Sequence, residues 1–115
     1  MQYLLLIYGN EREMLSASKE TAEQTMAAYT AYMQAMKTAG VIQGSNRLRP
    51  TNTASTVRAP GGKTEVLDGP YAETKEQLAG YVLIDVPNLD EALSWAARCP
   101  GAAHGSIEVR PIWGM

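Results

Sequence analysis

A chain of 115 residues, 45% hydrophobic and 19% charged, amounts to one domain with enough apolar side chains to bury a core. Net charge is −2 and the basic residues are scattered, which excludes the lysine and arginine stripe that nucleic-acid binding needs. One cysteine, Cys99, excludes an intrachain disulfide, and one histidine with dispersed carboxylates makes no metal ligand set.

Tyr3 to Tyr8 is a continuous apolar run closed by Gly9-Asn10, the pattern of a buried central strand. The run is far too short to span a bilayer and has neither the basic flank nor the cleavage site of a signal peptide. The expected location is therefore the cytoplasm, with no membrane partner. From Ser16 to Gly40 the period changes, with Ala22, Met26, Tyr29, Met33 and Met36 on one helical face. Ser18 is the expected N-cap and Gly40 the stop. The Met/Tyr stripe reads as core packing.

Val41 to Leu48 is a second expected strand. Arg47, Arg49 and Arg58 read as solvated strand edges rather than a phosphate track. Ser55 to Ala59 and Lys63 to Leu67 flank Pro60-Gly61-Gly62, a hairpin signal. Asp68-Gly69-Pro70-Tyr71 then makes a stiff corner, since Gly69 permits unusual backbone angles and Pro70 restricts φ. Ala79 to Val86 is a β-branched and aromatic strand. Asn88, with Glu91 three residues on, opens a helix carrying Leu89, Ala92, Leu93, Ala96 and Ala97 that ends near Cys99-Pro100-Gly101. Ser106 to Ile112 alternates Ile107 and Val109 with Glu108 and Arg110, as a half-buried strand does.

The order is β-α-β-(hairpin)-β-α-β in a single domain over residues 1–115. It implies an α+β, ferredoxin-like antiparallel sheet with two helices on one face and an inserted hairpin. The other sheet face would be half apolar and exposed, which predicts a homodimer with its pocket between sheet, partner and inserted loop.

Four features carry candidate chemistry. Asp68 at the corner is a candidate base, held by Gly69 and Pro70, or else only a turn residue bonding its own backbone. The run Glu73-Thr74-Lys75-Glu76 is pinned between that corner and a buried strand. Lys75 is there to anchor an anion or to pair with Asp68. His104 brings the one side-chain type whose unperturbed pKa is near neutrality, so it is the second candidate acid or base. Arg110 is a further anion anchor, or the partner of Glu108 in a cross-strand salt bridge. Tyr71 and Tyr81 would wall the pocket. With no phosphate loop, Rossmann fingerprint or nucleophile elbow, such an enzyme would use acid–base chemistry and no cofactor.

The string "DGPYAETKEQLAGYVLIDVPNLDEALSWAARCP", then "HGSIEVRPIW", with "MQYLLLIYG" at the start and "TASTVR" in the middle, resembles the DGPF group of the YCII-related proteins. Tyr71 takes the place of the signature's aromatic. The resemblance runs almost end to end. It implies the ferredoxin-like fold, a dimeric α/β-barrel-like assembly, a cytoplasmic bacterial setting and association with extracytoplasmic-function sigma factors. It also implies elimination chemistry such as dehydrochlorination, through a histidine in the first helix and an aspartate before a proline after the second. This chain has no histidine in its first helix and carries Cys99 before Pro100, so neither half of that pair transfers. A replacement pair of Asp68 and His104 acting on a small anionic molecule is the expectation. The alternative is a non-catalytic ligand-binding module that docks on a sigma factor.

Overall fold

A computed structural model describes residues 1–114. The N-terminal apolar run forms β1 (Gln2–Gly9), which lies inside a four-stranded antiparallel sheet. Its neighbours are β5 (Gln77–Asp85) and β6 (Ser106–Pro111), and β2 (Ile42–Arg47) completes the order β2-β5-β1-β6. Tyr3 faces Ile84, Leu5 faces both Val82 and Val109, and Ile7 faces Ile107. This register sends Tyr3, Leu5, Val82 and Ile84 into the core and leaves Leu4, Leu6, Tyr8, Tyr81 and Leu83 half-buried on the other face. A one-residue irregularity between Ile7 and Tyr8 shifts the pairing with β5 at the end of the strand.

Two long helices cover the core face. In α2 (Lys19–Thr38) the Ser18 side chain accepts the Thr21 N–H at 3.1 Å. The helix closes in a Schellman arrangement, with Val41 N–H on Met36 O, Gly40 N–H on Lys37 O, and Gly40 at φ 73°. In α3 (Leu89–Arg98) the Asn88 side chain accepts the Glu91 N–H at 3.0 Å, and Ala92 and Ala96 are buried. The helices join where the buried Tyr32 hydroxyl donates to Trp95 O at 2.7 Å.

The expected core stripe of the first helix holds only from Tyr29 onward. Met36 is buried, Tyr29 and Met33 pack against the core, but Ala22 and Met26 are exposed. About 30 Å of helix overhangs a sheet whose inner strand is shorter, so the first turns have nothing beneath them. The missing core residue is Tyr32, which lies on the flank that meets α3. Leu89 and Leu93 of α3 are likewise exposed, since its contact with the sheet runs through the small side chains.

Two further elements stand outside this frame. A short helix, α1 (Glu11–Leu15), turns the chain aside after β1, with the Asn10 side chain accepting the Glu13 N–H at 3.1 Å. The inserted hairpin of β3 (Ser55–Arg58) and β4 (Glu65–Asp68) forms a separate two-stranded sheet in the register Val57 to Val66. Its turn uses Gly61 and Gly62 at φ 61° and 83°. Val57, Val66 and Leu67 on it are all more than half exposed. The hairpin is an arm, and it extends the radius of gyration to 16.0 Å. A compact chain of this length would have about 13 Å.

Candidate functional site

Glu11 gathers three segments that are remote in sequence. Its carboxylate accepts the Thr51 N–H at 2.6 Å and the Thr51 hydroxyl at 2.7 Å. Its own N–H donates to Gln77 Oε1 at 2.9 Å, and Gln77 Nε2 donates to Thr74 O at 2.6 Å. Thus α1, the link from β2 to the arm and the loop before β5 are clamped together. That link is a single turn over Thr51–Thr53, closed by Thr53 N–H and hydroxyl on Pro50 O. The loop is tied at its other side by the Ser106 hydroxyl, which donates to Glu76 Oε1 at 2.7 Å.

A cleft of about 660 Å³ opens beside Glu11, bounded by Arg12, Leu15, Pro50, Asn52, Lys75 and Gln77. A second cleft of about 310 Å³ shares Glu11, Leu15 and Pro50 and adds Arg47 and Arg49. Both are open to solvent, with Arg12, Leu15 and Lys75 exposed in the first and Arg47, Leu48 and Arg49 in the second. The Thr51 hydrogen bonds occupy both oxygens of Glu11, while the cations around it are exposed to solvent. Glu11 keeps its negative charge, but Arg12, Lys75, Arg47 and Arg49 outnumber it, so the two clefts together carry net positive charge and suit an organic anion.

The expected site residues fall in four places. Lys75 lines the groove, and Glu73 precedes it on the same exposed loop. Asp68, Gly69, Pro70 and Tyr71 lie at the base of the arm. There Gly69 holds the corner at φ 105°, donating its N–H to Ala54 O at 2.7 Å and accepting the Thr56 hydroxyl at 2.9 Å. Asp68 itself makes no side-chain hydrogen bond among the described residues, so the corner is held by Gly69 backbone groups rather than by an aspartate turn. Tyr71 is 80% exposed, with the Arg58 guanidinium 5.7 Å from its ring centre. Tyr81 and Arg110 belong to the open sheet face, where Tyr81 accepts from Asn46 Nδ2 at 2.8 Å.

His104 caps the turn Pro100–Ala103 and is exposed. Among the described residues no hydrogen bond joins it to Asp68, which ends the arm while His104 follows α3. Lys75 forms no ion pair with Asp68 either. Ion pairs among the described residues join the N-terminal amine to Asp85 and Arg110 to Glu108. The second runs along one strand, from residue 108 to 110, rather than across two strands. Both partners are solvated, so it adds little stability.

Cys99 is buried, and its sulfur lies 3.7 Å from the Tyr29 hydroxyl. Burial pushes the phenol of Tyr29 well above its ordinary range, and Cys99 adds to the effect. Tyr29 is therefore a neutral hydroxyl at physiological pH. No group of three or more His, Cys, Asp or Glu side chains placed to hold a metal occurs among the described residues. No helix of the described residues is long and apolar enough to cross a membrane.

Sequence reasoning missed Glu11, Arg12 and the arginine end of the groove. One signal for the first two was present, since Asn10 followed by Glu13 is a helix-start pattern. Arg47 and Arg49 carry no local sign of function, because their role depends on what Glu11 brings opposite them.

The strand order and the two helices on one face define an α+β ferredoxin-like protein with an inserted arm. A YCII-related domain matches residues 1–115, and the chain belongs to that family. It is 44% identical over 114 residues to an uncharacterised protein of Rhizobium meliloti (strain 1021), covering 97% of this chain and 92% of that one. The fold is similar to that of a 5-chloro-2-hydroxyhydroquinone dehydrochlorinase from Burkholderia phenoliruptrix AC1100, solved in complex with 2,5-dihydroxybenzoquinone. That match has a TM-score of 0.57 at 16% identity and covers 98% of this chain and 94% of the other.

Proposed function

We propose that this YCII-related protein, of the DGPF type by its Asp68-Gly69-Pro70-Tyr71 corner, is a cofactor-independent acid–base enzyme. Its substrate would be a small organic anion that undergoes proton abstraction or elimination. The observation that carries this reading is the groove lined by Arg12 and Lys75, whose one central carboxylate, Glu11, is turned onto the Thr51 N–H and hydroxyl. The dehydrochlorinase supports it by analogy of fold, as an elimination enzyme of similar architecture.

His104 and Asp68 are the proposed proton-transfer groups, each acting singly. Neither lines the groove: Asp68 precedes Lys75 by seven residues, and His104 is joined to it through Gly105, which abuts Tyr8 and Gly9 just before Asn10 and Glu11. Incubating the protein with 5-chloro-2-hydroxyhydroquinone and a panel of related anions, while following chloride release and product absorbance, tests the reading. Turnover that falls about 100-fold or more in His104→Ala or Asp68→Asn, with binding retained, is the expected result. Binding without turnover of any compound would favour the non-catalytic module instead, for which the exposed arm offers a docking element.

We also propose that two copies pair across the open sheet face. Leu4, Leu6, Tyr8, Tyr81 and Leu83 form its apolar strip, and the arm carries further exposed apolar groups, Val57 and Val66 on one of its faces and Leu67 on the other. A hairpin without a partner is marginal in water, so the arm too gains from a second copy. Light scattering coupled to size exclusion is expected to give twice the chain mass. A monomer across the micromolar range would refute the pairing.

A further inference from the structure

The two clefts share a wall but differ in their cations. Arg12 and Lys75 line the larger one, and Arg47 and Arg49 line the smaller. None of these four side chains takes part in an ion pair among the described residues. Other arginines do find partners: Arg110 pairs with Glu108, and the guanidiniums of Arg58 and Arg98 lie over Tyr71 and Trp95. Between the two cationic pairs the shared wall presents Leu15 and Pro50, both apolar. Glu11, the third shared residue, is held by Thr51 and has both oxygens engaged.

We propose that the groove takes an elongated organic dianion of the dicarboxylate type. One anionic group would sit on Arg12 and Lys75, the other on Arg47 and Arg49, and the carbon body would lie along Leu15 and Pro50. This proposal rests on the groove being the substrate site and names the class of molecule it selects. Arginine presents a planar fork matched to a carboxylate, and lysine adds a mobile point charge. A monoanion engages one end and leaves the other pair unused. A molecule with two linked anionic groups converts the second contact into an intramolecular one and gains affinity without new chemistry. A body of the wrong length cannot reach both ends, so the two pairs act as a ruler.

The test is isothermal titration calorimetry on the full chain at fixed ionic strength. The titrants are linear dicarboxylates from succinate to suberate, each beside the monocarboxylate of equal length. Affinity is expected to peak at one length and to exceed that of the matched monocarboxylate by about tenfold or more. Arg47→Ala/Arg49→Ala and Arg12→Ala/Lys75→Ala should each reduce the best dicarboxylate to roughly the level of its monocarboxylate. Lys37→Ala/Lys63→Ala, which removes the same charge elsewhere, should leave affinity unchanged. Melting curves followed by circular dichroism serve as the fold control, since all four groove side chains are exposed. Equal affinity for mono- and dicarboxylates, or equal losses in the control pair, overturns the proposal. Tight monocarboxylate binding that depends on one cationic pair overturns the two-anchor arrangement while the groove stands as an anion site. Absence of binding by either class removes both.

Discussion

Gly105→Ala is expected to lower the melting temperature by about 10 °C or more and to weaken anion binding in the same variant. A Cβ at this position would lie 2.1 Å from Tyr8 O and 3.1 Å from Gly9 Cα. Both obstacles are backbone, so no rotamer change relieves the contact. Either β6 or the end of β1 must move by about 1 Å, at a cost of roughly 3 kcal/mol on the scale of core overpacking. At this chain length each kcal/mol is worth about 4 °C. Tyr8 and Gly9 feed directly into Asn10, the cap of α1, and Glu11, the clamp of the groove. Displacing them moves the Glu11 carboxylate from Thr51 and loosens the wall between the two clefts. A melting temperature within about 2 °C of wild type would mean that β1 and β6 do not approach as closely as they do here.

Met36→Ala should be comparably destabilising and functionally silent. Met36 is fully buried among Tyr32, Ile84 and the rest of the helix–sheet core. Truncating it removes the apolar contact and leaves a cavity, which costs about 2–5 kcal/mol, a large share of the stability of a small domain. The residue lies at the C-terminal end of α2, where the chain turns into β2. The groove lies where β2 ends and β5 begins. Chemical denaturation should therefore show a lower midpoint with an unchanged slope, while anion affinity at 20 °C stays within about twofold. If affinity fell in step with stability, the groove and the core would be one cooperative unit. The contrast with Gly105→Ala separates a residue that holds the fold from one that holds both fold and site.

Much of the architecture was legible because its signals are local. Ser18, Gly40 and Asn88 cap their own helices through hydrogen bonds spanning three to five residues. The hairpin is set by Gly61 and Gly62, and the alternation in β6 by the pleat itself. The helix α1 escaped because five residues are too few to establish a period, leaving Asn10 and Glu13 as its one trace. Tyr32 was overlooked for a different reason. It lies off the stripe that faces the sheet and is buried by α3, whose Trp95 is 63 positions away.

The candidate site divides in the same way. The sequence by itself determined the family, the ferredoxin-like order, the stiff corner at Asp68-Gly69-Pro70-Tyr71 and the place of Lys75 on a constrained loop, since each depends on neighbours within a few positions. Only the tertiary structure decided that the corner ends a free-standing arm. It also decided that Asp68 and His104 share no hydrogen bond, and that Lys75 shares a groove with Arg12, Arg47 and Arg49. Those relations are made by Glu11 bonding to Thr51 and Gln77, 40 and 66 positions along the chain. A contact between such distant positions exists only once the sheet has closed, because chain connectivity alone does not bring them together.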